Sequence, residues 1–131
     1  MNKPNSSIRT PLARVRHLGS AHSGTADFFR QRVTAIGMLL LILPVVIIVM
    51  MLLGRNHAGA SQILGSPLVA IILVLFVIAS CWHMKIGMQV VIEDYVHDEK
   101  LKLAAVIANG FFTWVIALAA IYALVKLSSG V

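Results

Sequence analysis

The sequence predicts an all-α membrane protein with three transmembrane helices. Three observations lead there. The chain has 131 residues, of which 59% are hydrophobic and only 12% charged, and its mean hydropathy is +0.89. A soluble domain of that length cannot hide so much apolar surface. The apolar residues gather into three runs, each near or above the ~20 residues that cross a bilayer core. The charged residues fall mostly outside those runs. The predicted spans are about 33–53, 67–95 and 103–127, in a single membrane domain covering residues 1–131.

The segment ahead of the first span is polar and basic, with Lys3, Arg9, Arg14, Arg16, Arg30 and Arg32 against the single acid Asp27. It has no apolar stretch followed by a small-residue cleavage site, so it does not read as a secretory signal peptide. Its acid-poor composition resembles a mitochondrial transit sequence, but it runs directly into a membrane helix. Gly19 to Thr25 reads as an irregular turn, with Thr25 as the expected N-cap of a helix carrying Asp27 in its first turn. From Val33 to Gly54 there is no charge, and Pro44 in the middle predicts a kink. The stretch Gly54 to Ser66 reads as a loop, with His57 exposed in it. Pro67 suits the first turn of the second helix, behind Ser66 as N-cap. Glu93 to Lys102 reads as a short charged turn before the third span. The lone cysteine, Cys81, lies in an apolar run and reads as a small buried hydrophobe.

Orientation follows from the basic residues near the spans. The amino-terminal segment and the Glu93–Lys102 turn together carry eight, whereas the first loop and the carboxyl tail contribute Arg55 and Lys126. The amino terminus is therefore expected on the cytoplasmic (or matrix) side. The net charge of +6 is a topology signal and not a nucleic-acid one.

The candidate site residues cluster on the second helix. In helical geometry Phe76, Ala79, His83, Gly87, Val90 and Asp94 share one face, with His83 and Asp94 about 16 Å apart along the axis. A histidine inside a span is expensive and faces a bundle interior, a cofactor or an ion path, or bonds a neighbouring helix. An apolar slot beside a glycine suits a haem held through an imidazole nitrogen, and Gly87 is one turn from His83. A bis-histidine site would take its second ligand from another chain. Asp94 and Tyr95 read either as an interfacial acid and aromatic or as a proton relay and hydroxyl donor for a quinone. Arg32 reads as an inside-facing cation that can also pair with an anionic group. Lys85 lies about 200° around the helix from His83 and is expected to snorkel toward the interface. A small transporter or proton-conducting subunit would need a polar stripe between His83 and Asp94, and Gly87 and Val90 interrupt it.

The run His83-x-x-Ile-Gly-Met-x-x-Val-x-x-Asp-Tyr-Val closely resembles the second-helix motif of the small hydrophobic membrane anchor of succinate dehydrogenase, the D-type subunit. The segment Gly24-Thr-Ala-Asp-Phe-Phe-Arg-Gln-Arg-Val-Thr-Ala-Ile36 is similar to that family's entry into its first helix. The resemblance implies a chain that is not an enzyme by itself. It would pair with a second, C-type three-helix anchor to hold one b-type haem, and dock the flavoprotein and iron–sulfur subunits. By the same resemblance His83 is the axial ligand of the haem iron and Arg32 accompanies the haem propionates. Tyr95 hydrogen-bonds ubiquinone, with Asp94 beside it supplying protons. A bacterial inner membrane is the expected location, ahead of the mitochondrial one. A fumarate reductase anchor fits the same motif. Lys85 departs from the pattern, and His22 and Ser23 receive no role.

Overall fold

A computed structural model describes residues 10, 12, 15 and 23–129. The basic residues Lys3, Arg9, Arg14 and Arg16, the start of the expected turn at Gly19, and His22 lie outside the described residues. Four helices follow in order: α1 (Ser23–Leu52), α2 (His57–Leu64), α3 (Pro67–Tyr95) and α4 (Glu99–Ser129). Among the described residues there is no strand.

Helix α1 begins at Ser23, well ahead of the apolar run that opens at Val33. The expected N-cap at Thr25 is thus corrected: Thr25 lies within the helix. Nothing between Ser23 and Val33 except Gly24 disfavours a helix, and side chains one turn apart support it. Arg30 pairs with Asp27 at 3.5 Å, and the Arg32 guanidinium lies 4.3 Å from the centre of the Phe28 ring. The helix continues through Pro44 to Leu52. In hydrocarbon an opened backbone finds no water, which favours keeping the helix intact around a proline. It ends where Gly54 adopts a left-handed φ of 72°, a conformation that suits glycine.

The stretch expected to be a loop contains the short helix α2. Asn56 caps it, its side-chain oxygen accepting the Gly59 N–H at 2.9 Å. Glycine and serine are weak helix formers, so composition hid this helix. Gly65 then brings the chain close to both neighbours. A Cβ there would lie 2.9 Å from the Ser61 carbonyl oxygen and 3.4 Å from that of Leu127.

Helix α3 opens with Pro67 in its first turn, as expected, although the Ser66 side chain makes no capping bond. The charged link to α4 is shorter than the sequence suggests. Asp98 Oδ1 accepts the Leu101 N–H at 2.8 Å, capping α4 so that it starts at Glu99, before the apolar run at Leu103. Glu99 in the first turn adds a favourable charge at the positive end of the helix.

Helix α3 is the middle of the assembly. It packs against α1 on one side and α4 on the other, while α1 and α4 do not touch among the described residues. Few side chains are buried: Ile48, Cys81, Ile86 and Ala117, with the polar Asn109 and Thr113. Large apolar side chains such as Leu39, Leu43, Phe111 and Leu118 point outward along the long helices. Helices that are apolar all round belong in lipid or against other membrane helices. With three helices long and apolar enough to cross a membrane, the chain is a multi-pass membrane protein.

Candidate functional site

His83 sits midway along α3 and reaches across to α1. Its Nδ1 lies 3.1 Å from Thr34 Oγ1, and its Nε2 lies 3.4 Å from the Gln31 side-chain nitrogen. Gln31 and Thr34 are one turn apart on α1, so a single helix face meets both ring nitrogens. The only polar bonds among the described residues that join α1 to α3 are these two.

Beside this contact a cavity of about 650 Å³ opens between α1 and α3. His83, Gly87, Gln31, Arg32, Asp27 and Glu93 are among its lining residues. Its volume is in the range of small-molecule and cofactor sites. Gly87 leaves room that other residues would fill: a Cβ built there meets only the Gln31 amide nitrogen, at 3.4 Å. The Gln31 Oε1 atom is buried without a hydrogen-bond partner. Among the described residues the sole ion pair joins Arg30 and Asp27, which leaves Arg32 without a carboxylate. The cavity wall therefore offers a ring nitrogen, a guanidinium with no ion-pair partner among the described residues, an unsatisfied amide oxygen and a glycine gap. No group of three or more metal-ligating side chains exists among the described residues, so a metal reached through His83 would take its other ligands from elsewhere.

Of the residues singled out from the sequence, His83, Gly87, Val90 and Arg32 share this cavity. Asp94 and Tyr95 do not line it. Both are exposed at the end of α3, Tyr95 at 78%, and neither hydrogen-bonds another described residue through its side chain. Their helix positions put them about 16 and 18 Å along the axis from His83. Glu93 takes the place on the cavity wall that the shared-face argument gave to Asp94, and the Gln89 amide donates to Glu93 Oε1 at 2.8 Å. Sequence reasoning passed over Gln31, Thr34 and Glu93. The signal for the first two was there: two polar residues spaced by three at the mouth of an apolar run, where a membrane helix meets a polar partner.

Lys85 faces the other way. It lines a separate apolar groove of about 250 Å³ between α3 and α4, with Cys81, Trp82, Thr113 and Trp114. Its backbone carbonyl accepts a bond from the buried Asn109 amide at 2.9 Å, and Thr113 bonds back to the Asn109 carbonyl at 2.8 Å. So α3 is tied to α4 through its backbone and to α1 through His83.

A family model described as succinate dehydrogenase/fumarate reductase transmembrane subunit matches residues 6–117. The succinate dehydrogenase hydrophobic membrane anchor subunit of Paracoccus denitrificans is 33% identical over 121 residues, 92% of this chain and 93% of that one. The subunit of the same name from Rickettsia bellii is 34% identical over 109 residues, covering 81% and 85% of the two chains. That of Rickettsia conorii is 31% identical over 120 residues, covering 89% and 94%. No solved structure matches the chain. The match spans α1, α2, α3 and more than half of α4, including every residue of the cavity wall, and the chain belongs to the succinate dehydrogenase/fumarate reductase transmembrane subunit family.

Proposed function

We propose that this chain is the D-type membrane anchor of a bacterial succinate:quinone oxidoreductase, seated in the inner membrane with its amino terminus in the cytoplasm. It pairs with a C-type anchor subunit, and the two together dock the iron–sulfur and flavoprotein subunits. Alone it oxidises nothing.

The observation that carries the reading is the wall between α1 and α3, where His83, Gly87 and Arg32 face one cavity. These residues fit a b-type haem. A neutral imidazole can ligate the iron, the glycine leaves space for a flat macrocycle, and a guanidinium without a carboxylate partner suits a propionate. When bound, the haem supplies a one-electron couple between ferric and ferrous iron. His83 is the only histidine on the wall among the described residues, and a second imidazole ligand would come from the C-type anchor. The broad exposure of α1 and α3 beside the cavity supports that arrangement, because a partner helix has apolar surface to cover there.

Quinone reduction takes up two electrons and two protons, and the water boundary is where protons are available. Tyr95 and Asp94 stand at that boundary, at the end of α3. The Tyr95 hydroxyl donates a hydrogen bond to a quinone carbonyl oxygen, and the Asp94 carboxyl passes protons from the cytoplasm. Neither side chain has a hydrogen-bond or ion-pair partner among the described residues, which suits groups completed by a ligand or another subunit.

The test is to isolate the chain with its partners from native membranes and record a dithionite-reduced minus oxidised spectrum for wild type and His83→Ala. A b-type band in wild type, lost in the variant, with flavin and iron–sulfur subunits co-purifying, is the expected result. An active complex without haem, or haem unchanged in His83→Ala, overturns the assignment of His83. The same family includes fumarate reductase subunits, and succinate oxidation against fumarate reduction rates in that preparation separate the two directions.

A further inference from the structure

The two contacts of the His83 ring are not equivalent, and their geometry fixes which nitrogen carries the proton. Thr34 has one hydroxyl proton and two lone pairs. Its Oγ1 lies 2.9 Å from the Arg30 carbonyl oxygen and 3.1 Å from that of Gln31, the back-bonding pattern usual for threonine in a helix. An oxygen–oxygen approach of 2.9 Å needs a proton between the atoms. The hydroxyl proton is therefore spent on the backbone, and toward His83 Nδ1, at 3.1 Å, the oxygen can only accept. That requires the Nδ1–H tautomer. The other contact agrees: the Gln31 amide N–H then donates to a bare Nε2 at 3.4 Å. Reversing the Gln31 amide would offer its oxygen to an Nε2–H. It would also demand the Thr34 proton at Nδ1, leaving Oγ1 facing two carbonyl oxygens with nothing between.

We infer that Thr34 is a positioning residue for His83, accepting its Nδ1–H so that Nε2 turns a lone pair toward the cavity between α1 and α3. The inference rests on the proposed role of His83 as a ligand and adds the atom that orients it. Gln31 is the placeholder. Its amide covers Nε2 and lies over Gly87, and its own oxygen stays buried and unbonded. A ligand that takes Nε2 displaces that amide and frees the oxygen to find a partner. A hydrogen-bond acceptor behind a metal-bound imidazole fixes the ring's orientation and raises its basicity. A more basic ligand favours the ferric state, so removing the acceptor moves the reduction potential upward.

The experiment uses the assembled complex and compares Thr34→Val and Thr34→Ser with wild type, reading haem per mole of chain and the haem midpoint potential by redox titration. The inference expects Thr34→Val to shift the potential in the positive direction and Thr34→Ser to stay at the wild-type value. A Thr34→Val potential equal to wild type overturns it, since a merely structural hydroxyl would change the yield of complex and not the potential of the haem retained. If the valine does not fit, Thr34→Ala removes the oxygen without adding bulk and is read the same way. Failure of both to assemble while Thr34→Ser succeeds assigns the hydroxyl to helix association and also overturns it. Absence of haem in wild type, or its retention in His83→Ala, defeats the haem reading itself. Haem lost in His83→Ala with no shift in Thr34→Val defeats only the role of Thr34.

Discussion

Gly87 separates what the helices need from what the cavity needs. In the middle of a helix glycine costs roughly 0.5–1 kcal/mol relative to alanine. Gly87→Ala removes that cost, and the new methyl group meets only the end of the flexible Gln31 side chain, at 3.4 Å. The chain and its assembly should therefore tolerate Gly87→Ala, with a gain of up to about 1 kcal/mol, near a five-fold change in the folded ratio. Leucine places a branched side chain in the cavity itself, which the open volume of about 650 Å³ accepts when nothing else is there. Haem occupancy should fall in the order wild type, alanine, leucine, while thermal unfolding of the complex stays level or rises slightly for alanine. The assay is haem per mole of chain by the pyridine haemochrome spectrum, alongside a melting curve. Full haem in Gly87→Leu would refute the cavity as the haem slot. Parallel loss of haem and assembly in Gly87→Ala would instead make the glycine a helix-packing residue.

Asn109→Leu removes the amide bond to the Lys85 carbonyl but orphans nothing, because that carbonyl keeps its own helical partner. Interhelical bonds of this kind in membranes average about 0.6 kcal/mol and reach about 1.7, so unfolding in detergent should show a loss in that range with haem content unchanged. Tyr95→Phe deletes a hydroxyl that bonds nothing else among the described residues, so stability should move by less than about 0.5 kcal/mol. Succinate:quinone activity should drop while dye reduction by the flavoprotein arm stays intact. Asp98→Ala removes the cap of α4 at a cost of about 1 kcal/mol, seen as faster amide hydrogen exchange over the first turn after Glu99. Lys85→Met should leave haem content and potential at wild-type values, since the side chain lines the groove on the α4 side.

The long helices were legible because hydrophobic length is a strong signal: a bilayer needs about 20 apolar residues and leaves little freedom in how they are used. The ends of α3 were legible too, but the starts of α1 and α4 were not, because they are set by local bonds that hydropathy ignores. Asp98 starts α4 ahead of its apolar run, and polar residues carry α1 back to Ser23. Helix α2 was missed because it is held by one asparagine cap and not by composition. At the site, His83 stood out as a polar group inside a span. Thr34 and Gln31 did not, because a single helix read alone cannot tell which residues of another helix will lie opposite it. The sequence pattern put Asp94 on the His83 face, yet Glu93 lines the cavity. The wall residues Ile86, Gln89 and Val90 show that the cavity face is centred to one side of His83, the side on which an ideal helix also places Glu93.

The arrangement of α3 explains how one helix carries a lysine and a histidine at nearly the same depth. His83 and Lys85 are two positions apart, so their side chains leave on opposite sides. The imidazole goes to the α1 side, where both nitrogens have polar partners, and Lys85 lines a groove on the α4 side together with Trp82 and Trp114. Because α1 and α4 do not pack against each other among the described residues, α3 lies between the two environments. The α1–α3 cavity has one histidine on its wall among the described residues. On the proposed reading the chain would carry half of a two-histidine site, and the other half would arrive with the partner helices that cover the cavity.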